Sequence, residues 1–155
     1  MIAPIVVFAI GNPSRGDDAI GPVLAERLEA EALPGIEVVV DFQLQIEHAL
    51  DLEGRRLAVF VDAAVDAAPP YELRRVRPRR DHSHSSHALS PAAVLETYER
   101  CTGRAPPQAW VLAVRGDHFE LGSGLSAAAR ANVEAAWSRL ETLGRPSAAP
   151  SPGAR

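Results

Sequence analysis

The chain has 155 residues, 46% of them hydrophobic, so it can form one domain with a buried core. Its net charge of -4 gives no reason to expect a nucleic acid or an anionic membrane as a partner. The single cysteine, Cys101, excludes an internal disulfide and fits a reducing compartment. The N-terminal apolar run lacks a basic leader region and is too short to span a bilayer, so we expect a cytoplasmic protein.

Apolar runs and helical periodicity divide the chain into alternating strands and helices. The predicted elements, in chain order, are a strand from Ile5 to Ile10, a helix from Ile20 to about Pro34-Gly35, a strand from Ile36 to Asp41, a short helix from Gln45 to Leu52, a strand from Leu57 to Val61, an arginine-rich edge strand or hairpin from Tyr71 to Arg77, a helix that begins at Ser90-Pro91, a strand from Ala109 to Val114 and a helix capped by Ser126. We expect residues 1–143 to form one domain and residues 144–155, rich in Pro, Ala, Ser and Gly, to form a disordered tail.

This alternation, with three strands that are apolar throughout, predicts an α/β fold with three layers: a mostly parallel, twisted sheet flanked by helices on both faces. The inward helix faces are predicted to be Val94, Leu95, Tyr98 and Cys101 in one helix and Ala129, Val133, Trp137 and Leu140 in the last. Ligands bind beyond the carboxyl ends of the strands in such sheets. Asp18 follows the first strand, Asp62 ends the third, and His87 lies in a loop before a helix. These three side chains can therefore meet at one edge of the sheet.

Two carboxylates and one imidazole have two chemical uses. They can coordinate a divalent cation such as nickel or zinc, or they can form acid–base machinery in which the groups tune one another. Simpler roles are open as well. Asp17 or Asp18 can cap the following helix, and Asp62 can accept hydrogen bonds from loop amides. His82 and His84 fit a solvated loop.

Other site types are weakly supported. The glycines at positions 11, 16 and 21 are wrongly spaced for a dinucleotide fingerprint, and no Walker lysine is present, so the pattern disfavours nucleotide binding. The serines of DHSHSSH lack a GxSxG elbow, which argues against a serine hydrolase. The arginines of YELRRVRPRR either form a solvated edge or dock an acidic partner surface.

Several segments, in order between about Ile5 and Leu140, resemble the hydrogenase maturation protease family. These endopeptidases trim the C-terminus of the large subunit of nickel–iron hydrogenases. The segments are FAIGNPSRGDDAIGP, DFQLQIEHALDL, VFVDAAVD, SSHALSP and AVRGDHFELGSGLS. The resemblance implies a twisted sheet between helices and a monomeric peptidase of the aspartic type. It also implies a large-subunit precursor as the substrate and partner.

Carried over by position, the family's three nickel contacts fall on Asp18, Asp62 and His87. Asp18 has a shorter reach than the Glu common at that position, and Ala19 replaces a common Gly without removing a ligand. The resemblance implies that the nickel belongs to the substrate and is the recognition signal, and it implies no resident organic cofactor. Asp18 or Asp62 would activate water as a general base, or the metal would act as a Lewis acid on the scissile carbonyl.

Weaker candidates surround this set. Asp17 is expected to serve the loop or the helix start, and Gly16 to allow a sharp turn. The other candidates are Gln45, Glu47 and His48, which follow a predicted strand, and Asp66 and His118. Two rival functions remain: a nickel-binding chaperone or carrier without hydrolytic activity, and a metal hydrolase for a small substrate. The lack of a compact, closed ligand set argues mildly against both rivals.

Overall fold

The computed structural model describes residues 2–80 and 89–144. Strands and helices alternate through most of these residues. The strands are β1 (Ile5–Ile10), β2 (Ile36–Asp41), β3 (Leu57–Ala64), β4 (Tyr71–Val76) and β5 (Gln108–Arg115). The α-helices are α1 (Ile20–Glu31), α2 (Pro91–Thr102) and α3 (Ala127–Glu141), and short 3₁₀ helices span Gly16–Ala19, Ile46–Leu52 and Thr142–Gly144. No helix in these ranges is long and apolar enough to cross a bilayer.

Across the described ranges, the five strands form one sheet in the order β2-β1-β3-β5-β4. The first four strands in that order run parallel, and β4 is an antiparallel edge strand. After β1 the chain crosses outward to β2, and it then returns past β1 to β3. The direction of winding therefore reverses between β1 and β3. Such a reversal leaves a crevice at the carboxyl ends of the two strands, where ligands bind in open α/β sheets.

The sheet separates two hydrophobic clusters, because successive residues of a buried strand point to opposite faces. Helices α1 and α3 cover one face, against Val7 of β1 and Val59 of β3. Helix α2 and the 3₁₀ helix Ile46–Leu52 cover the other face, where Phe8 and Phe60 stack with ring centroids 4.9 Å apart. The three-layer, mostly parallel α/β fold predicted from the sequence is confirmed.

Two helix predictions are confirmed at their starts. Ser90 accepts a hydrogen bond from the backbone N–H of Ala93, and Ser126 accepts one from that of Ala129. The expectation that Asp17 or Asp18 caps α1 is wrong. Asp17 and Asp18 lie in a 3₁₀ turn before the helix, and the cap residue, Ala19, makes no side-chain hydrogen bond.

Two further expectations are wrong in detail. Asp62 does not end β3, since residues 62–64 continue to pair with β5 as far as Ala64 opposite Arg115. Cys101 is exposed rather than part of the core. Leu95 and Tyr98 pack in the core of this face, whereas residues 99–101 at the end of α2 are exposed. The expected tail beyond residue 144 lies outside the described residues.

Candidate active site

An open cavity of about 400 Å³ lies at the carboxyl ends of β1 and β3. Asp18 and Asp62 both line it, so the structure brings these two predicted site residues together. Its remaining lining is mainly apolar and comes from strands β1, β3, β4 and β5, from the start of α2 and from nearby loops. These residues are Ile10, Phe42, Gln43, Leu44, Phe60, Ala63, Ala64, Arg74, Leu89, Pro91, Val111 and Ala113. The cavity therefore surrounds two carboxylates with walls of low polarity.

Asp18 reaches the cavity from the 3₁₀ turn that follows β1. Its Oδ2 accepts a hydrogen bond of 2.7 Å from the backbone N–H of Asn12. The backbone N–H of Asp18 donates to the carbonyl of Arg15, which closes the turn. The side chain is half-buried. Asp18 is thus fixed at one oxygen and faces the cavity as an acceptor.

Asp62 projects from β3 on the same face as Phe60, two residues earlier. Burial and, to a smaller extent, the nearby negative charge of Asp18 together raise the pKa of Asp62 to about 7, although a hydrogen bond from the backbone N–H of Ala63 partly opposes them. A carboxyl group with this pKa exchanges a proton readily near neutral pH. It therefore has the property expected of a general acid or base.

Asp17, the neighbour of Asp18, points away into the protein and is fully buried. Its Oδ1 accepts from the backbone N–H of Ser126 at 2.8 Å. Its Oδ2 accepts from the backbone N–H groups of Asp117 and His118 at 2.9 and 3.1 Å and from the Ser126 hydroxyl at 2.9 Å. Burial acts to raise the pKa of Asp17, but these donors outweigh it and hold the pKa below 3.8. Asp17 therefore ties the acidic turn to the segment between β5 and α3.

Gly16 allows this close approach. Its φ of +55° lies in the left-handed region that disfavours side chains. A Cβ at this position would also collide with the carbonyl oxygen of His118. The backbone N–H of Asp17 donates to that same carbonyl at 2.6 Å. The sequence-based expectation of a turn at Gly16 and a loop role for Asp17 agrees with this geometry.

The weaker candidate site residues lie outside the cavity. His48 is buried outside the cavity lining, where its Nδ1 accepts from the backbone N–H of Gln45 at 2.8 Å and its Nε2 lies 3.3 Å from Asp41. Gln45 and Glu47 are exposed and also lie outside the cavity lining.

Asp66 and His118 do not line the cavity either. Asp66 pairs with Arg74, which does line it. His118 contributes backbone groups to the Asp17 contacts.

His87, the third predicted site residue, lies outside the described residues, as do His82 and His84. Leu89 follows His87 by two positions and lines the cavity, where its backbone N–H donates to the carbonyl of Leu44 at 3.3 Å. Within the ranges 2–80 and 89–144, no three His, Cys, Asp or Glu side chains form a group that could hold a metal ion.

Solved structures share this fold over almost the whole chain. The hydrogenase maturating endopeptidase HybD from E. coli is 26% identical, with a TM-score of 0.72 and coverage of 95% of this chain and 94% of that one. The resemblance to the hydrogenase maturation proteases is confirmed.

Two further solved structures share the same fold. An endopeptidase from Escherichia coli is 24% identical, with a TM-score of 0.69 and coverage of 96% of this chain and 94% of that one. The NiFe hydrogenase maturation protease HycI from Thermococcus kodakarensis is 23% identical, with a TM-score of 0.66 and coverage of 92% and 93%. At these identities both show the shared fold. No family model matches the sequence, and no curated protein matches it.

Proposed function

We propose that this protein is an endopeptidase that removes the C-terminal extension of a nickel–iron hydrogenase large-subunit precursor. The observation that carries the proposal is the pair Asp18 and Asp62 in one cavity, with the pKa of Asp62 raised to about 7. The solved structures that share the fold over nearly the full chain include proteins named as hydrogenase maturation endopeptidases, which supports the same activity.

Asp62 is the general base in this proposal, and the peptidase is of the aspartic type. The ionised carboxylate accepts a proton from a water molecule, and the resulting hydroxide adds to the scissile carbonyl carbon. Asp62 then returns the proton to the nitrogen of the leaving peptide as the C–N bond breaks. Asp18, whose Oδ2 is held by the backbone N–H of Asn12, lines the same cavity and orients the water.

Recognition of nickel is the second part of the proposal. The nickel is part of the substrate, and Asp18, Asp62 and His87 complete its coordination as oxygen and nitrogen ligands. Leu89 supports a contribution from His87, because it lies two residues further along the chain and lines the cavity. A precursor without nickel would leave the two carboxylates facing each other without a cation between them. Loaded and empty precursors would then bind with different affinities.

The test is cleavage of the cognate precursor, with and without its nickel, read by mass spectrometry. We expect one cut near the C-terminus of the loaded form only. Asp18→Asn and Asp62→Asn should each lower kcat/KM by roughly 100-fold or more, the usual contribution of a positioned base. Asp51→Asn is the matched control, since Asp51 lies outside the cavity lining.

The possible outcomes separate the two parts of the proposal. Cutting of both forms would keep the peptidase and remove the role of nickel. Normal cutting by Asp18→Asn and Asp62→Asn would remove both carboxylates from the reaction. If neither form is cut and the protein binds free nickel, the carrier function replaces the peptidase.

A further inference from the structure

A second concave surface adjoins the cavity, and the proposed chemistry does not use it. This surface, which we call the arginine groove, has a volume of about 550 Å³. Residues from β4, the segment after it, the start of α2 and β5 line it. They are Arg74, Arg75, Val76, Arg77, Pro78, Arg79, Ser90, Pro91, Ala92 and Val111. Arg74, Pro91 and Val111 also line the cavity, so the two concave surfaces are continuous.

The charge of the groove is opposite to that of the whole chain. The protein has a net charge of -4, yet five of its sixteen basic residues fall between positions 74 and 80. Many arginines elsewhere have acidic partners, such as Arg27 with Glu134 and Arg55 with Glu37. The groove thus concentrates positive charge beside a cavity that holds two carboxylates.

The individual arginines differ in how far they are neutralised. Arg74 pairs with Asp66 and Glu72. The guanidinium of Arg75 packs over the ring of Trp110 at 5.7 Å. Arg77 and Arg79 are exposed, and neither forms an ion pair with another residue in the part of the chain that the structure describes. Positive charge therefore remains available for a ligand at these two positions.

Two neighbouring features favour the same kind of ligand. The first turn of α2 lines the groove, and the partial positive charge at the N-terminus of a 12-residue helix adds to that of the arginines. Among residues 2–80 and 89–144, β4 is the last strand in the sheet order, and an extended chain can pair with such an edge strand. A concave, basic surface along an edge strand fits an extended acidic peptide better than a compact anion.

We propose that the arginine groove binds an acidic stretch of the polypeptide that is cleaved in the adjoining cavity. This inference rests on the proposed peptidase function and adds a feature of its substrate: carboxylate side chains near the scissile bond. The groove would hold the substrate in register and contribute to KM, while the chemistry takes place at Asp18 and Asp62.

The test compares two double variants with the same change in charge. Arg77→Glu/Arg79→Glu reverses the charge of two arginines in the groove. Arg56→Glu/Arg130→Glu reverses the charge of two exposed arginines outside it. Binding of a fluorescent polyglutamate peptide is measured by anisotropy at low and high salt. Cleavage of the nickel-loaded precursor gives kcat and KM for the same proteins.

We expect the groove variant to raise the Kd of the peptide and the KM of the precursor by roughly tenfold at low salt, with kcat almost unchanged. The control variant should stay near wild type, and high salt should remove most of the difference. Equal effects of the two double variants, or no peptide binding by the wild type, would overturn the proposal. Tighter groove-dependent binding of a single-stranded DNA of equal charge would also overturn it.

These experiments distinguish an error in the proposed peptidase activity from an error in the proposed ligand of the groove. If the wild type leaves the precursor uncut but binds polyglutamate through Arg77 and Arg79, the peptidase is wrong and the acidic ligand of the groove is supported. If the precursor is cut with the same KM by all the proteins, the peptidase is supported and the groove has no part in substrate binding.

Discussion

Asp17 is fully buried and Asp62 is half-buried at the cavity, and the pKa values of these two carboxyl groups have moved in opposite directions. Burial favours the protonated form of both. At Asp17, hydrogen bonds from Ser126, Asp117 and His118 outweigh burial and hold the pKa below 3.8. At Asp62, the nearby charge of Asp18 adds to burial, and the pKa rises to about 7. The difference shows that the donors around a buried acid decide whether it anchors the structure or exchanges protons.

Placing the Asp62 carboxyl group close to Asp18 in a partly buried site should make the free energy of unfolding depend on pH. The pKa of Asp62 is raised from 3.8 to about 7, so the folded state binds more protons than the unfolded state in this window. The free energy of unfolding of the wild type should therefore fall as the pH rises through the window, by roughly 4 kcal/mol at most. Asp62→Asn should remove this loss and be more stable than the wild type near pH 8.

Denaturant unfolding at a series of pH values measures this effect, with Asp51→Asn as the control. The control should follow the wild-type curve. A variant Asp62→Asn that loses stability with pH as steeply as the wild type would mean that Asp62 is ionised at much lower pH.

Removal of the Asp17 charge should have the opposite pH signature. Asp17→Asn keeps one acceptor oxygen where the carboxylate has two that accept four hydrogen bonds, so we expect a loss of about 3 kcal/mol in the free energy of unfolding. Because the pKa of Asp17 is lowered, its stabilisation is present above pH 3.8 and is lost as the pH falls toward the lowered pKa. The wild type and the variant should therefore converge in acid.

Urea titrations of Asp17→Asn and of the exposed neighbour Asp117→Asn compare a buried charge with a surface charge. Asp117 forms an ion pair with Arg115 at the surface, and its substitution should cost about 0.5 kcal/mol. Equal losses in the two variants would remove the special role of Asp17.

Gly16→Ala tests the close approach of the acidic turn to His118. The substitution adds left-handed strain and a collision with the His118 carbonyl, so we expect a destabilisation of about 2 kcal/mol. Gly122 has a φ of +85° and open space around it, so Gly122→Ala carries the strain alone and should cost about 1 kcal/mol. The difference in destabilisation between the two variants, measured by thermal unfolding, gives the cost of the collision with the His118 carbonyl. A smaller loss at Gly16 than at Gly122 would contradict it.

Glu47→Ala should have the smallest effect. Glu47 is exposed and does not line the cavity, so we expect a change in stability within about 0.5 kcal/mol and unchanged cleavage of the precursor. A loss of kcat/KM comparable to that of Asp18→Asn would place Glu47 in the reaction and extend the site beyond the cavity.

The parts of the fold that depend on local pattern were predictable from the sequence. Strand β1 is an apolar run, and Ser90 and Ser126 occur where helices with apolar faces begin. The meeting of Asp18 and Asp62 at one edge of the sheet followed from the rule for parallel sheets. The extension of β3 to Ala64 could not be predicted in this way, because it depends on pairing with β5, which lies more than forty residues later.

The separate roles of Asp17 and Asp18 were only partly predictable. The sequence shows two identical neighbouring residues, and their difference arises from donors at positions 117, 118 and 126. His48 illustrates the same limit, since its burial against Phe8 depends on how the 3₁₀ helix Ile46–Leu52 packs on the sheet. His87 stays a prediction.

The hydrogen bonds of Asp17 join residues that are 100 to 109 positions apart in the chain. Contacts of such separation form late in folding, because a long loop must close before they contribute. We therefore expect the turn that carries Asp18 to become ordered only after β5 has paired and α3 has begun. A nascent or truncated chain that ends before Ser126 would have both carboxylates of the cavity but would lack the anchor that positions one of them. The carboxylates would then reach their working geometry only when the last helix is in place.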